Sequence, residues 1–327
     1  MEYHYLVDYV LREYKQDLER FVADIEYENN SFDYCIVLGM GGSGIIGRYL
    51  RSIVQARWGK PVFVFDYTDV DVPLNGKFLL IAVSYSGTTR ETIESFKEIS
   101  PYASSIGVVS GKGELAELGF KRGARIVEVG GSPAPRFGFA KMLSAALSLF
   151  AGFTGERWVV EELKKSVEEL AQLSSSDTLV EDANRLAGFL SEGVPIIYSS
   201  QHLLPVGYRW KTQLNENAKT HAFHSALPEA NHNEVNANPQ RCELRCVLLM
   251  SHAYSKLIKA SFEAYSRVSS LPCRLVWARG SSALSEMLYT TVYGDYVSVR
   301  LAELFGVDPL RVEAIRAIKS IQSTLLK

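Results

Sequence analysis

Short, nearly unbroken apolar runs recur along the chain, separated by stretches whose apolar positions return every three or four residues. The first kind of pattern predicts strands buried on both faces, and the second predicts amphipathic helices. Residues 2–26 have helical spacing, with Tyr5, Tyr9, Leu18 and Phe21 among the apolar positions. Strands are predicted at 32–38, 61–66, 78–83, 105–109 and 124–129, with helices at 45–56 and after Thr89. The rhythm restarts in the second half. Residues 156–190 read as mostly helical, 194–200 as a strand, and 206–214 as helix. Strand-like runs follow at 246–250 and 274–277, and helices at 283–305 and about 309–326. Strands alternating with helices predict an α/β fold, with doubly wound, mainly parallel sheets flanked by helices. The length of 327 residues suggests two such units, with the join near Gly152–Glu156, so that residues 1–153 and 154–327 form separate domains.

Composition narrows the class. The chain is 47% apolar and 22% charged, with a formal net charge of -2. That balance gives no electrostatic case for nucleic acid or an anionic membrane surface. No apolar run in the sequence approaches a membrane span. The start, Met1-Glu2-Tyr3-His4-Tyr5, lacks the basic-then-apolar form of a signal peptide, so a cytoplasmic protein is expected. Four cysteines, Cys35, Cys242, Cys246 and Cys273, are too few and scattered for a disulfide scaffold. Cys242 and Cys246 could pair or bind metal, but two reduced thiols beside a strand are the simpler expectation.

Candidate chemistry concentrates in three places. Ser84-Tyr85-Ser86-Gly87-Thr88-Thr89 lies between a buried strand and a helix. A helix start there offers free N–H groups and the positive end of the dipole, hydroxyls add donors, and glycine permits close approach. Together these suit a phosphate, although a capped Ser/Thr turn would look similar. Gly39-Met40-Gly41-Gly42-Ser43-Gly44 fits a dinucleotide-binding loop, with Asp66 where a ribose-binding acid would stand. An NAD-dependent oxidoreductase is therefore one reading. The other is a single small phosphorylated ligand between two neighbouring loops, with the Gly41-Gly42 amides against its sugar end and a hydroxyl from Ser43. The third place is the polar segment 215–234, with three histidines, Glu216, Glu229 and Glu234. Glu216 with His232 suits acid/base catalysis. His221, His224, Glu229 or His232 could hold a metal, although Pro228 argues against a rigid helix there. A polar surface loop is the plain alternative.

The motifs Gly39-Met40-Gly41-Gly42-Ser43-Gly44, Ser84-x-Ser86-Gly87-x-Thr89, Pro135-Arg136, Asn215-Glu216-Asn217-Ala218-Lys219 and Asn231-His232-Asn233-Glu234 together resemble the bifunctional phosphoglucose/phosphomannose isomerases of the phosphoglucose isomerase superfamily. The likeness runs in order over nearly the whole chain. It implies two sugar isomerase (SIS) domains, a homodimer with shared active sites, and hexose 6-phosphate substrates. It implies aldose–ketose isomerisation with no metal and no cofactor. On this resemblance Ser43, Ser84, Ser86 and Thr89 fall on phosphate-binding positions, and Gly41 and Gly42 on backbone lying against the sugar. Arg136 falls on the arginine that stabilises the enediolate, Glu216 on the base that moves the proton between C1 and C2, and His232 on the ring-opening histidine supplied by the other subunit. Lys319 falls on the ring-opening lysine. The family segment often carries a threonine upstream of that lysine, associated with accepting both C2 epimers. Leu310 and Arg311 stand in that neighbourhood here, so the expectation of mannose activity is weaker than that of glucose activity. A non-catalytic SIS sensor would need the 84–89 loop but not Arg136, Glu216 and His232 together.

Overall fold

The computed structural model describes residues 4–22, 25–68, 70–72, 74–174, 177–237 and 243–325. Two wholly parallel sheets organise the chain. The first has the order β2-β1-β3-β4-β5, from Val62–Phe65, Tyr34–Leu38, Phe78–Ser84, Ser105–Ser110 and Arg125–Glu128. The second has the order β7-β6-β8-β9, from Phe223–Ala226, Val194–Ser199, Leu244–Met250 and Cys273–Trp277. The helices are α1 His4–Asp8, α2 Tyr14–Glu19, α3 Gly41–Trp58, α4 Arg90–Ile99, α5 Glu114–Lys121, α6 Phe139–Thr154, α7 Trp158–Ser174, α8 Asp177–Leu190, α9 Leu204–Asn217, α10 Lys256–Val268, α11 Ala283–Leu304 and α12 Glu313–Leu325.

The central strands of the first sheet are apolar throughout because both faces are covered. Ile36, Leu38, Leu80 and Ala82 face one buried cluster with Ile93 and Phe96 of α4. Their neighbours Cys35, Val37, Leu79, Ile81 and Val83 face the larger core. That larger core is continuous with Ile197, Val247 and Leu249 of the second sheet. At its centre lies α6, apolar and long enough to cross a membrane when joined to the turn before it, residues Pro135–Thr154. This corrects the expectation that no apolar run approaches a membrane span; 94% of its most apolar 18-residue stretch is buried inside the protein, as in a core helix. It stops at Gly155, whose left-handed backbone (φ 76°) closes the helix.

Most predicted elements are present, with shifts at their ends. The helical stretch 2–26 is shorter and carries a π turn at Tyr9–Glu13. The helix expected from Ile45 begins at Gly41, directly after β1 and Met40. The polar segment 215–234, for which no strand was predicted, contains β7, which adds to β6 in parallel register. The cysteine expectation is corrected by strand register. Cys246 and Cys273 face each other across β8 and β9, Cα atoms 4.3 Å apart, and form a disulfide. Cys242 lies outside the described residues. Cys35 is a buried free thiol, its pKa pushed up by desolvation.

Candidate active site

The two loops expected to bind a phosphorylated ligand both lie at the carboxyl ends of central strands, β1 and β3, where open α/β sheets place ligands. In the second loop Gly87 has φ +69°, and a Cβ there would stand 2.8 Å from Ser110 Oγ. Only glycine makes this turn, and it aims the start of α4 back over the strand end. Ser84 is fully buried, and its hydroxyl donates to Thr89 Oγ1 at 3.1 Å. Ser86 Oγ accepts from the Thr88 amide and hydroxyl at 3.3 and 3.1 Å. Thr89 caps α4 in an extended conformation without a side-chain cap bond, so the first amides of that helix remain available to an anion. Ser43 sits behind this loop. Its hydroxyl accepts from the Tyr85 amide at 3.1 Å and touches Met142 Sδ at 3.5 Å, tying the two loops together.

Tyr85 carries the link onward. Its hydroxyl accepts from Ser132 N at 2.8 Å, and its ring lies where a Cβ on Gly138 would collide. Between those contacts is the short helical turn Pro135–Gly138, which holds Arg136. Gly41 has φ +54°, and the ideal Cβ position on Gly42 is 3.6 Å from Arg136 Cα. The glycine loop therefore lies directly against the arginine. Asp66 is held by Arg48 at 2.5 Å, which engages the acid that a dinucleotide ribose would require. That contact weakens the oxidoreductase reading.

Arg136 is 2% exposed and is held from two other segments, the end of α9 and the stretch at Pro309. Nε donates to Asn217 Oδ1 at 2.5 Å, one Nη to Glu216 Oε2 at 3.3 Å, and the other Nη to the Pro309 carbonyl. Burial pulls its pKa down, and Glu216 opposes that shift. Glu216 is partly exposed and lines a cavity of about 730 Å³ with Asn215, Lys219, Asp308 and Arg311. Lys219 follows the helix in a left-handed conformation (φ 57°) and donates to the carbonyls of Glu216 and Pro309, the latter at 3.3 Å. Burial lowers its pKa, and Arg136 adds to the shift.

Behind the arginine is a buried ion pair that sequence reasoning missed. Arg209 donates to Asp295 Oδ2 at 2.6 Å and to the Arg136 carbonyl at 3.0 Å. Tyr14 donates to the same carboxylate oxygen at 2.7 Å. Asn217 also escaped assignment, although it lies inside a motif singled out in the sequence. Its amide donates to Ser298 Oγ at 2.8 Å while its carbonyl holds Arg136.

The remaining expected residues stand apart. His232 is exposed at the end of the turn Glu229–His232, and no hydrogen bond among the described residues joins it to Arg136 or Glu216. Lys319 lies on α12, none of whose residues is buried. His224, a metal candidate, is on β7 with Nε2 2.8 Å from Ser199 Oγ. Among the described residues no three His, Cys, Asp or Glu side chains are grouped as a metal site.

Fold and site define an enzyme of the sugar-phosphate isomerase class. The profile of the bacterial phospho-glucose isomerase C-terminal SIS domain matches residues 179–321. The chain is 33% identical over 317 residues to the bifunctional phosphoglucose/phosphomannose isomerase of Aquifex aeolicus, covering 92% of this chain and 96% of that protein. It is 31% identical over 311 residues to the protein of the same name from Thermoplasma volcanium, covering 93% and 95%. In structure it resembles tagatose-6-phosphate ketose/aldose isomerase from Escherichia coli, with a TM-score of 0.71 at 15% identity over 94% of this chain and 95% of that one. The chain belongs to the bifunctional phosphoglucose/phosphomannose isomerase family.

Proposed function

We propose that this enzyme interconverts glucose 6-phosphate, and with it mannose 6-phosphate, with fructose 6-phosphate through a cis-enediolate. The observation that carries the reading is the guanidinium of Arg136 against the carboxylate of Glu216, which lines an open cavity, with the Arg136 main chain beside Gly42. A carboxylate base paired with a fixed cation is what proton transfer between C1 and C2 requires. Ser84, Ser86, Thr89 and the first amides of α4 anchor the phosphate, with Ser43 setting the loop. That remote anchor orients C1 and C2 at Glu216. Arg136 neutralises the charge that develops on the enediolate oxygens. No metal or cofactor enters this scheme.

Ring opening falls to His232 and Lys319. Among the described residues no hydrogen bond joins either to Glu216, which is compatible with a homodimer in which the partner supplies His232. Four apolar side chains of α12, Ile315, Ile318, Ile321 and Leu325, are 43–80% exposed at helical spacing, as a helix covered by a second subunit would be. We place the enzyme in the cytoplasm, with two SIS domains at 1–153 and 154–327.

The test is a coupled assay with glucose 6-phosphate and mannose 6-phosphate as separate substrates, on wild type and Glu216→Gln. The variant is expected to lose about 10²–10⁴ in kcat while still binding the sugar phosphate. Turnover near wild type would remove Glu216 from the role of base.

A further inference from the structure

The second sheet repeats the geometry that forms the phosphate loops in the first. In the order β2-β1-β3 the two loops leave the carboxyl ends of β1 and β3, and β7-β6-β8 places the corresponding loops after β6 and β8. These are Ser200-Gln201-His202-Leu203 and Ser251-His252-Ala253-Tyr254-Ser255. Like Ser84, the serine at the end of its strand, Ser251, is fully buried.

The two crevices differ in what fills them. In the first, α4 starts without a side-chain cap. In the second, the donors are taken up by the chain itself. Ser255 caps α10 by accepting from Ile258 N at 3.3 Å. The Tyr254 hydroxyl accepts from Ser200 N at 3.2 Å and donates to the Ser200 carbonyl at 2.9 Å. Glu286, from the first turn of α11, reaches the crevice with a side chain only 5% exposed. Its Oε2 accepts from Ser251 Oγ at 2.6 Å and lies 2.6 Å from His202 Nε2. A carboxylate buried this deeply is tolerated only where donors answer it, and these donors come from the loops that would otherwise face an anion.

We infer that the second domain keeps an anion site of the same architecture and that the Glu286 carboxylate is its built-in occupant. The chain then binds one sugar phosphate although it carries two phosphate crevices. The inference uses the proposed function only in taking 84–89 as the open phosphate loop.

Removing the carboxylate empties the second crevice, and a small oxyanion is expected to replace it. Glu286→Ala and Glu286→Gln are compared with wild type in thermal unfolding against inorganic phosphate, with chloride holding ionic strength constant. Phosphate about tenfold above its Kd is expected to raise the Tm of Glu286→Ala by about 2 °C more than that of wild type. Glu286→Gln, whose amide fills the space, is expected to respond as wild type does. Saturating fructose 6-phosphate is expected to abolish the wild-type phosphate response but not the additional one in Glu286→Ala. An equal response in all three proteins overturns the inference. So does a Glu286→Ala protein that remains unfolded with phosphate present. A wild-type response that survives fructose 6-phosphate counts instead against the 84–89 assignment, and the extra response of Glu286→Ala still decides the second site.

Discussion

The buried pair of Arg209 and Asp295 gives a prediction whose size follows from exposure alone. Both side chains are 1% exposed and 2.6 Å apart, on α9 and α11. Burial works against the Arg209 charge, but Asp295 and Tyr14 more than offset it and hold its pKa raised. Asp295→Asn preserves the shape and removes the countercharge, leaving a guanidinium in the core with only neutral partners. Removing one member of such a pair costs about 3–5 kcal/mol. For a chain of this length that corresponds to a Tm fall of about 4–7 °C. Replacing both charges, as in Arg209→Met with Asp295→Leu, is expected to recover most of that loss, because no buried charge remains. The assay is thermal unfolding of the two single variants and the double, read as a double-mutant cycle. Arg209 also holds the Arg136 carbonyl, so the double variant is expected to regain stability without regaining full kcat. An Asp295→Asn protein within about 1 kcal/mol of wild type would refute the reasoning, as would a double variant no better than the worse single.

Two further outcomes follow from packing and burial. His224 has its pKa pulled down to about 4, first by burial and then by Arg48 and Lys211. The unfolded chain, with a histidine pKa near 6.5, therefore binds more protons, and stability is lost as pH falls from about 6.5 towards 4. Between pH 7.5 and 5 the loss is about 2 kcal/mol, and denaturant midpoints of wild type and His224→Gln at those two pH values check it, the variant being expected to lose much of the pH dependence. Gly294 lies under the Trp210 indole, where an added Cβ would stand 2.1 Å from Nε1. Gly294→Ala is expected to cost about 1–3 kcal/mol, read by chemical denaturation.

The strands were legible because burial on both faces leaves nearly unbroken apolar runs, as in Phe78–Ser84. The strand Phe223–Ala226 was not, because a four-residue edge strand that carries His224 and Ser225 has no such signature. The disulfide was hidden for a related reason. Cys246 and Cys273 are 27 residues apart, and only the parallel register of β8 and β9 makes them neighbours. The site divides along the same line. Turn chemistry marked 84–89 and 39–44 because glycine and hydroxyls at strand ends have local physical reasons. Glu216 stood out in the dense polar segment 215–234 and Arg136 through the resemblance, and their partners Asn217, Pro309, Arg209 and Asp295 are set by tertiary packing. An asparagine that holds an arginine 81 positions away reads locally as one more polar residue.

That packing also bears on how the proposed reaction proceeds. The Arg136 guanidinium is answered by three groups from two segments: Asn217 and Glu216 at the end of α9, and the Pro309 carbonyl. The contact to Glu216 is the longest of the three, at 3.3 Å, and the only one made to a partly exposed group. A sugar oxygen entering the cavity can therefore displace that contact while Asn217 and Pro309 keep the guanidinium plane fixed. Under the proposed roles, Glu216 would then be freed to act on carbon while the fixed guanidinium faces the developing enediolate. Pre-placed charge of this kind needs no reorganisation when the proton moves. The same geometry explains why the arginine is buried among fixed partners rather than carried on a loop: a mobile cation would follow the carboxylate instead of remaining where the new negative charge forms.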